Sequence, residues 1–442
     1  MTRTLGWLGI VRLGSVQAAL GAIVVLSTST MNRVMVVELA LPAVLPGALV
    51  ALHYGVQVLR PRMGYGSDMG GRRTPWIVGG MAALTAGGIG AASGTALMAA
   101  AFLPGLLLAL ASYVLIGLGV GAAGTSLLTL MAARTDEKRR APAATILWLM
   151  MILGIVVTSG VTSKLLDPFS PGRLVWVTAC VACVALVVAV LSVWGLEGAV
   201  SRPHRALRVQ GEAQPRFTQV LREVWSEPQA RRFAIFVFVS MLAYSAQEVV
   251  LEPFAGAVFR LTPGQTAGLT GLQHLGVLAG MAGVALCCLF AGEFRHRAMR
   301  AWTVGGCVAS TLAMGGMAGA ALVGPAWPLH LSVVLLGAAN GAFAVSAIGA
   351  MMGLASSGQH SREGTRVGLW GAAQAVAFGA GGLFGTGLID LTRLVFVAPG
   401  VAYAAVFIVQ ATVFLLAARL ASGVFGVVPR RSRPAFPAVH AA

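Results

Sequence analysis

Twelve stretches of about 20 apolar residues succeed one another along the chain, each long enough as a helix to cross the ~30 Å hydrocarbon layer of a bilayer. They lie near 16–38, 41–60, 75–97, 104–131, 141–163, 173–196, 232–258, 268–290, 301–323, 328–352, 367–389 and 394–421. In hydrocarbon no water pairs with backbone N–H and C=O groups, so segments of this length are confined to helices. Hydrophobic residues make up 57% of the chain and charged ones 10%, with mean hydropathy +0.84, which excludes a water-soluble globular fold. The expected architecture is an all-α membrane protein of twelve transmembrane helices.

The one long polar stretch, 197–231, is rich in Arg, Pro and Gln and separates six spans from six. It divides the chain into an N-terminal segment (1–15), a six-helix half (16–196), a linker (197–231), a second six-helix half (232–421) and a tail (422–442). The net charge of +17 is distributed unevenly among the loops. Lys and Arg cluster at Arg3 and Arg12, after the second span (Arg60, Arg62, Arg72, Arg73), after the fourth (Arg134, Lys138, Arg139, Arg140), in the linker and in the tail. The loops on the other side hold Lys164, Arg173, Arg260 and Arg393. The positive-inside rule therefore places both termini and the linker in the cytoplasm. Basic charge placed this way orients the protein against anionic inner-membrane lipid, and no nucleic-acid partner is expected.

Residues 1–14, with Trp7, suit a short amphipathic segment lying in the interface, and Arg12 interrupts the apolar run that a cleavable signal would need. All five cysteines fall inside spans, and no second pair or nearby His accompanies Cys180 and Cys183, so they are assigned no metal or redox role. GVGAAG (119–124) matches a dinucleotide-binding fingerprint in letters alone, because it lies inside an apolar span with no strand before it. Together with GGMAALTAGGIGAASG (79–94) it predicts helices packed closely through small residues.

Charged residues inside spans are functional candidates, since each costs roughly 2.5–3.5 kcal/mol near the bilayer centre. Glu248 and Glu252 stand one turn apart, about 40° around the seventh helix, where Pro253 frees a backbone carbonyl and is expected to break the helix. The first helix carries Asn32, Arg33 and Glu38 at a similar depth. Arg33 and Glu38 are about 140° apart on an α-helix and poorly placed to pair. Arg33 is therefore expected to meet Glu248 or Glu252 across a central cavity, with Gln247 beside them. A solvated structural cluster at the periplasmic rim is the other reading. His53 and His274 lie well inside apolar helices, where a neutral imidazole either packs through a hydrogen bond or serves as an axial metal ligand. Trp370 and Gln374, one turn apart in the eleventh helix, either present a face and a polar handle to a flat ring or make an ordinary helix contact.

The loop GYGSDMGGRRTPW (64–76) resembles the signature loop of the major facilitator superfamily through Gly64, Asp68, Gly71, Arg72 and Arg73, with Met69 where a base is usual. Glycines allow the tight turn, and an aspartate there can cap a helix end and pair with a base as two halves close. The resemblance implies two six-helix halves related by an axis along the membrane normal. Three further segments, TMNRVMVVELALP, QEVVLEPFAG and GLWGAAQAVAFGAGG, are similar to the PucC family of bacteriochlorophyll delivery and light-harvesting assembly proteins, over nearly all twelve helices. That resemblance implies bacteriochlorophyll or a late precursor as bound cargo, with no intrinsic cofactor. It also implies an inner, intracytoplasmic membrane location, and pigment-synthesis enzymes or light-harvesting polypeptides as partners. His53 and His274 would then face the pigment's Mg, and Trp370 and Gln374 its ring. Some members are named bacteriochlorophyll synthase chain, and the compact GSDMGGRRTPW loop matches that subgroup.

Catalysis by this chain is not expected. Prenyl transfer needs Asp-rich motifs holding Mg and diphosphate, and Asp68, Asp136, Asp167 and Asp390 are far apart. The 35-residue linker is too short for a cofactor domain. The competing function is a proton-coupled transporter of a small metabolite or drug, with Glu38, Glu248 and Glu252 carrying protons.

Overall fold

The computed structural model describes residues 5–60, 63, 72–197, 222, 225–290, 295–355, 363–396 and 398–425, and all regular structure among them is helical. The first half contains α1 (Trp7–Glu38), α2 (Val44–Leu59), α3 (Thr74–Met98), α4 (Phe102–Arg134), α5 (Glu137–Leu165) and α6 (Pro171–Val193). The second contains α7 (Pro228–Phe259), α8 (Pro263–Phe290), α9 (Arg295–Val323), α10 (Leu329–Ala355), α11 (Glu363–Val395) and α12 (Pro399–Phe425). Eleven of these are long and apolar enough to cross a membrane, and α2 is the shorter twelfth.

Both halves use the same pairings. α1 packs on α5 and α2 on α4, while α7 packs on α11 and α8 on α10. Glycine sets the closest approaches, as the small-residue stretches predict. A Cβ at Gly80 of α3 would lie 2.6 Å from the Ala123 amide nitrogen of α4, and one at Gly119 would lie 2.6 Å from the Leu84 nitrogen. GVGAAG is thus a helix-packing surface.

The first helix begins earlier than expected. Residues 7–14 are the opening turns of α1 rather than a separate interfacial segment. Arg12 is accommodated at the end of α6, where its Nη2 donates to the carbonyls of Leu191 (3.2 Å) and Trp194 (2.6 Å). These are carbonyls that a helix C-terminus leaves unpaired, and they carry its partial negative charge.

The halves meet along α5–α8 and α2–α11. Asp167, just past the end of α5, accepts hydrogen bonds from the Thr262 hydroxyl and from the Gly264 amide (3.2 Å) at the start of α8. Thr262 and Gln265 cap that helix reciprocally, the Gln265 amide donating to Thr262 Oγ1 (3.2 Å) and the Thr262 amide to Gln265 Oε1 (2.9 Å). Asp390, near the end of α11, accepts from the amides of Ala43 (2.9 Å) and Val44 (2.7 Å) at the start of α2. An axis relating the two halves exchanges α5 with α11 and α8 with α2, so the two aspartates perform one task twice.

Candidate functional site

The six polar residues expected to form one cluster are divided among five environments. Pro253 does not break α7, which runs through it to Phe259. Proline has no N–H to give the carbonyl four residues back, and that carbonyl, Val249 O, accepts instead from Asn32 Nδ2 of α1. The freed acceptor expected beside the glutamates is real, and a side chain from the other half pairs with it, keeping α7 continuous.

Glu252, 1% exposed, faces α8 rather than α1. Its Oε1 accepts from Thr270 Oγ1 (2.7 Å) and its Oε2 from Thr266 Oγ1 (3.2 Å). The Thr270 carbonyl in turn lies 2.9 Å from His274 Nδ1. Thr266, Thr270 and His274 are spaced four apart and share one helix face, a partnership that lay unnoticed in the sequence because threonine in a span looks like packing.

Arg33 pairs with Glu38, and its Nη2 also donates to the Leu261 carbonyl (2.6 Å). This overturns the expectation that the two residues point apart and that Arg33 bonds a seventh-helix carboxylate. The 140° separation belongs to an α-helix, and Val34–Glu38 is a π-helical turn, closed by Leu39 N–H on Val34 O (3.0 Å). Bonds from i to i+5 bring residues five apart onto one face. A second π turn, Leu26–Thr30, precedes it, and the Ser27 carbonyl there accepts from Tyr113 Oη (2.6 Å). Arg33 and Glu38 line a cavity of about 620 Å³ with Asp167, Phe169, Arg260 and Thr262, at the end of the bundle formed by the α5–α6 and α7–α8 connections. Contact with α7 is made at Gly256, where a Cβ would lie 3.1 Å from Arg33 Nε.

Gln247 belongs to a buried amide chain. Ser310 Oγ donates to Asn340 Oδ1 (2.9 Å), and Asn340 Nδ2 donates to Gln247 Oε1 (2.8 Å), linking α9, α10 and α7.

Glu248 occupies the fifth environment, half-buried on α7 one turn after Tyr244. Tyr244, on that face of α7, and Tyr54 of α2 both stand close to α11. Phe378 of α11 contacts both tyrosines, with ring centroids 5.2 Å from Tyr54 and 6.0 Å from Tyr244. One turn before Phe378, Gln374 points its amide at the Met241 sulfur (3.9 Å). All six side chains are half-buried. Three rings, a thioether, an amide and a carboxylate therefore form one wall built from α2, α7 and α11. Residues 54, 244 and 378 are too distant along the chain for a motif, and only the fold gathers them.

His53 is 1% exposed, and its Nε2 lies 3.0 Å from Gln57 Nε2, while Gln57 Oε1 accepts from Arg60. His274 is 6% exposed, with Nδ1 on the Thr270 carbonyl. Both imidazoles are enclosed in helix contacts. The Trp370 side chain falls outside what the structure describes, as do Gly64, Asp68 and Gly71 of the signature loop. Arg72 and Arg73 lead directly into α3, whose first amides are held by Glu197. Its Oε1 accepts from the Arg73 amide (2.6 Å), and its Oε2 from the Thr74 amide (2.8 Å) and hydroxyl (2.6 Å). Burial pushes the Glu197 carboxyl up, but these three hydrogen bonds and the charge of Arg73 together outweigh it and hold the group below its usual range.

Among the described residues, twelve helices in two halves, joined at α5–α8 and α2–α11, define a membrane protein of the major facilitator superfamily fold. A bacterial homolog of the human lysosomal transporter Spinster, in an inward-facing and unoccupied conformation, superposes with a TM-score of 0.66 at 15% identity, over 95% of this chain and 96% of that one. The D-xylose-proton symporter also gives 0.66 at 15% identity, over 92% and 96%. The profile of the family described as PUCC protein matches residues 30–427, and the chain belongs to that family. It is 52% identical to the Bacteriochlorophyll synthase 44.5 kDa chain of Rhodobacter capsulatus over 99% of both chains. To Protein PucC of Cereibacter sphaeroides it is 29% identical, over 91% of this chain and 88% of the relative.

Proposed function

We propose that this chain handles bacteriochlorophyll or a late precursor and passes it to pigment-synthesis or light-harvesting polypeptides, without itself catalysing a step. The observation that carries this reading is the 52% identity, end to end, with a chain named for bacteriochlorophyll synthesis. The geometry agrees with it. The half-buried wall of Tyr54, Tyr244 and Phe378, with Gln374, Met241 and Glu248, suits a broad conjugated ring with a few polar substituents. Two of the four aspartates, Asp167 and Asp390, cap helices, which supports a non-enzymatic role. The location that follows is the inner, intracytoplasmic membrane, with both termini cytoplasmic according to the placement of Lys and Arg.

Colour tests the proposal. The protein purified in mild detergent from a pigmented host is expected to carry a near-infrared bacteriochlorophyll band. A colourless preparation that drives proton-coupled uptake of a small solute into vesicles would replace pigment handling with transport.

A further inference from the structure

We propose that Glu252 is a neutral carboxylic acid, holding on Oε2 a proton that it donates to Thr266 within the contact between α7 and α8. A count of hydrogens carries the inference, which is independent of the cargo. Thr270 Oγ1 lies 2.7 Å from Oε1, Thr266 Oγ1 lies 3.2 Å from Oε2, and the same Thr266 oxygen lies 3.1 Å from the Pro263 carbonyl. Each hydroxyl has one hydrogen and two lone pairs. Around a carboxylate, two hydroxyl hydrogens would have to serve three contacts, and Thr266 would divide its one between Oε2 and Pro263. With a proton on Oε2 every contact has its own hydrogen. Oε2–H donates to Thr266, Thr266 donates to the Pro263 carbonyl, and Thr270 donates to Oε1.

The charges around the site point the same way. Glu252, Thr266 and Thr270 are all buried, and an ion taken out of water needs a counter-ion as well as hydrogen bonds. Arg33, which reaches α7 at Gly256 one turn beyond Glu252, gives Nη1 to Glu38 and Nη2 to the Leu261 carbonyl, and none of its nitrogens bonds Glu252. Asp167, past the end of α5, accepts from Thr262 and Gly264. His274, one turn beyond Thr270, has Nδ1 on the Thr270 carbonyl, and Glu248 stands one turn before Glu252 on α7. A metal cation does not suit the spacing. An ion bound at roughly 2.3–2.6 Å spreads neighbouring ligand groups to more than about 3 Å apart, and Thr270 Oγ1 is closer to Oε1 than that. A proton fixed in the α7–α8 contact is part of the structure rather than something carried across it, and it lowers the cost of placing this residue in a span.

Infrared difference spectroscopy on the full chain in lipid nanodiscs at neutral pH tests the assignment. Wild type minus Glu252→Gln is expected to show the carbonyl stretch of a protonated carboxylic acid, displaced to lower frequency in deuterium oxide. Thr270→Val removes the donor to Oε1 but keeps the acid, so it should move that band to higher frequency. Wild type minus Thr270→Val records this shift even if the Gln variant does not fold. The thermal unfolding midpoint of wild type should not change when choline replaces sodium. A difference spectrum holding only carboxylate stretches overturns the proposal, as does an acid band indifferent to Thr270→Val. An unfolding midpoint that rises with sodium would give the site to a metal cation instead.

Discussion

Asn32 and Pro253 show how a single residue can be required by a gap elsewhere. Pro253 removes a donor from α7, and Asn32 supplies one from α1 to the same carbonyl. Replacing Asn32 with Ala leaves a buried acceptor unsatisfied, at a cost of about 1–3 kcal/mol. The expected result is a lower thermal unfolding midpoint in detergent. With Pro253→Ala in place, the alanine amide can bond Val249 O, and the same Asn32→Ala change should cost much less. An undiminished loss in that background would mean that Asn32 acts through some other contact. Arg33 teaches the converse lesson. Its charge was easy to see in the sequence, but its partner depended on a local change of helical pitch that Val34–Glu38 does not advertise.

At the scale of elements, helix ends account for several of the few acidic side chains. Glu197 joins the end of the first half to the N-terminus of α3, next to the signature loop. Its carboxyl titrates below the ordinary value of 4.5 in the folded protein, so folding binds fewer protons there than the unfolded chain does. The contact therefore contributes stability above the ordinary glutamate range and loses it as the pH falls through the lowered value. Protection of the Arg73 and Thr74 amides, taken as observed exchange relative to the intrinsic rate at each pH, should be high at neutral pH and fall on acidification, whereas Glu197→Gln should be less protected already at neutral pH. Identical exchange in wild type and Glu197→Gln across that range would exclude the cap. The number of helices and the glycine contacts between α3 and α4 were legible beforehand, because length, hydropathy and small-residue spacing are local properties. The caps were not. Asp167 and Thr262 are brought together only by the docking of one half on the other.

For the whole molecule, Asp167 and Asp390 join the two halves at one end of the bundle through equivalent bonds on opposite sides. Charge-assisted bonds from a carboxylate to helix amides are stronger than neutral ones, so each can hold the face while the other is absent. Single Asp→Ala variants should admit a membrane-impermeant thiol reagent only slightly to a cysteine placed at Gly271, and the double variant markedly more. A single variant as open as the double would show that the two caps are not interchangeable. The same scale explains why the α2–α7–α11 wall could not be read from motifs: α2 contributes one half-buried side chain, α11 two and α7 three, and the three helices lie far apart along the chain.

The π turns of α1 also bear on how relatives should be aligned. A π turn holds one residue more than the α turn it replaces, so Leu26–Thr30 and Val34–Glu38 together give the first helix two residues that add little to its span. In a homologue with straight α-helix there, the two would appear as gaps in the middle of a transmembrane segment, where alignments ordinarily forbid them. Forcing the sequences into register without gaps would set Asn32 and Arg33 against residues from other faces of the helix. Chain length within α1, more than residue identity, would then reveal which relatives share this arrangement.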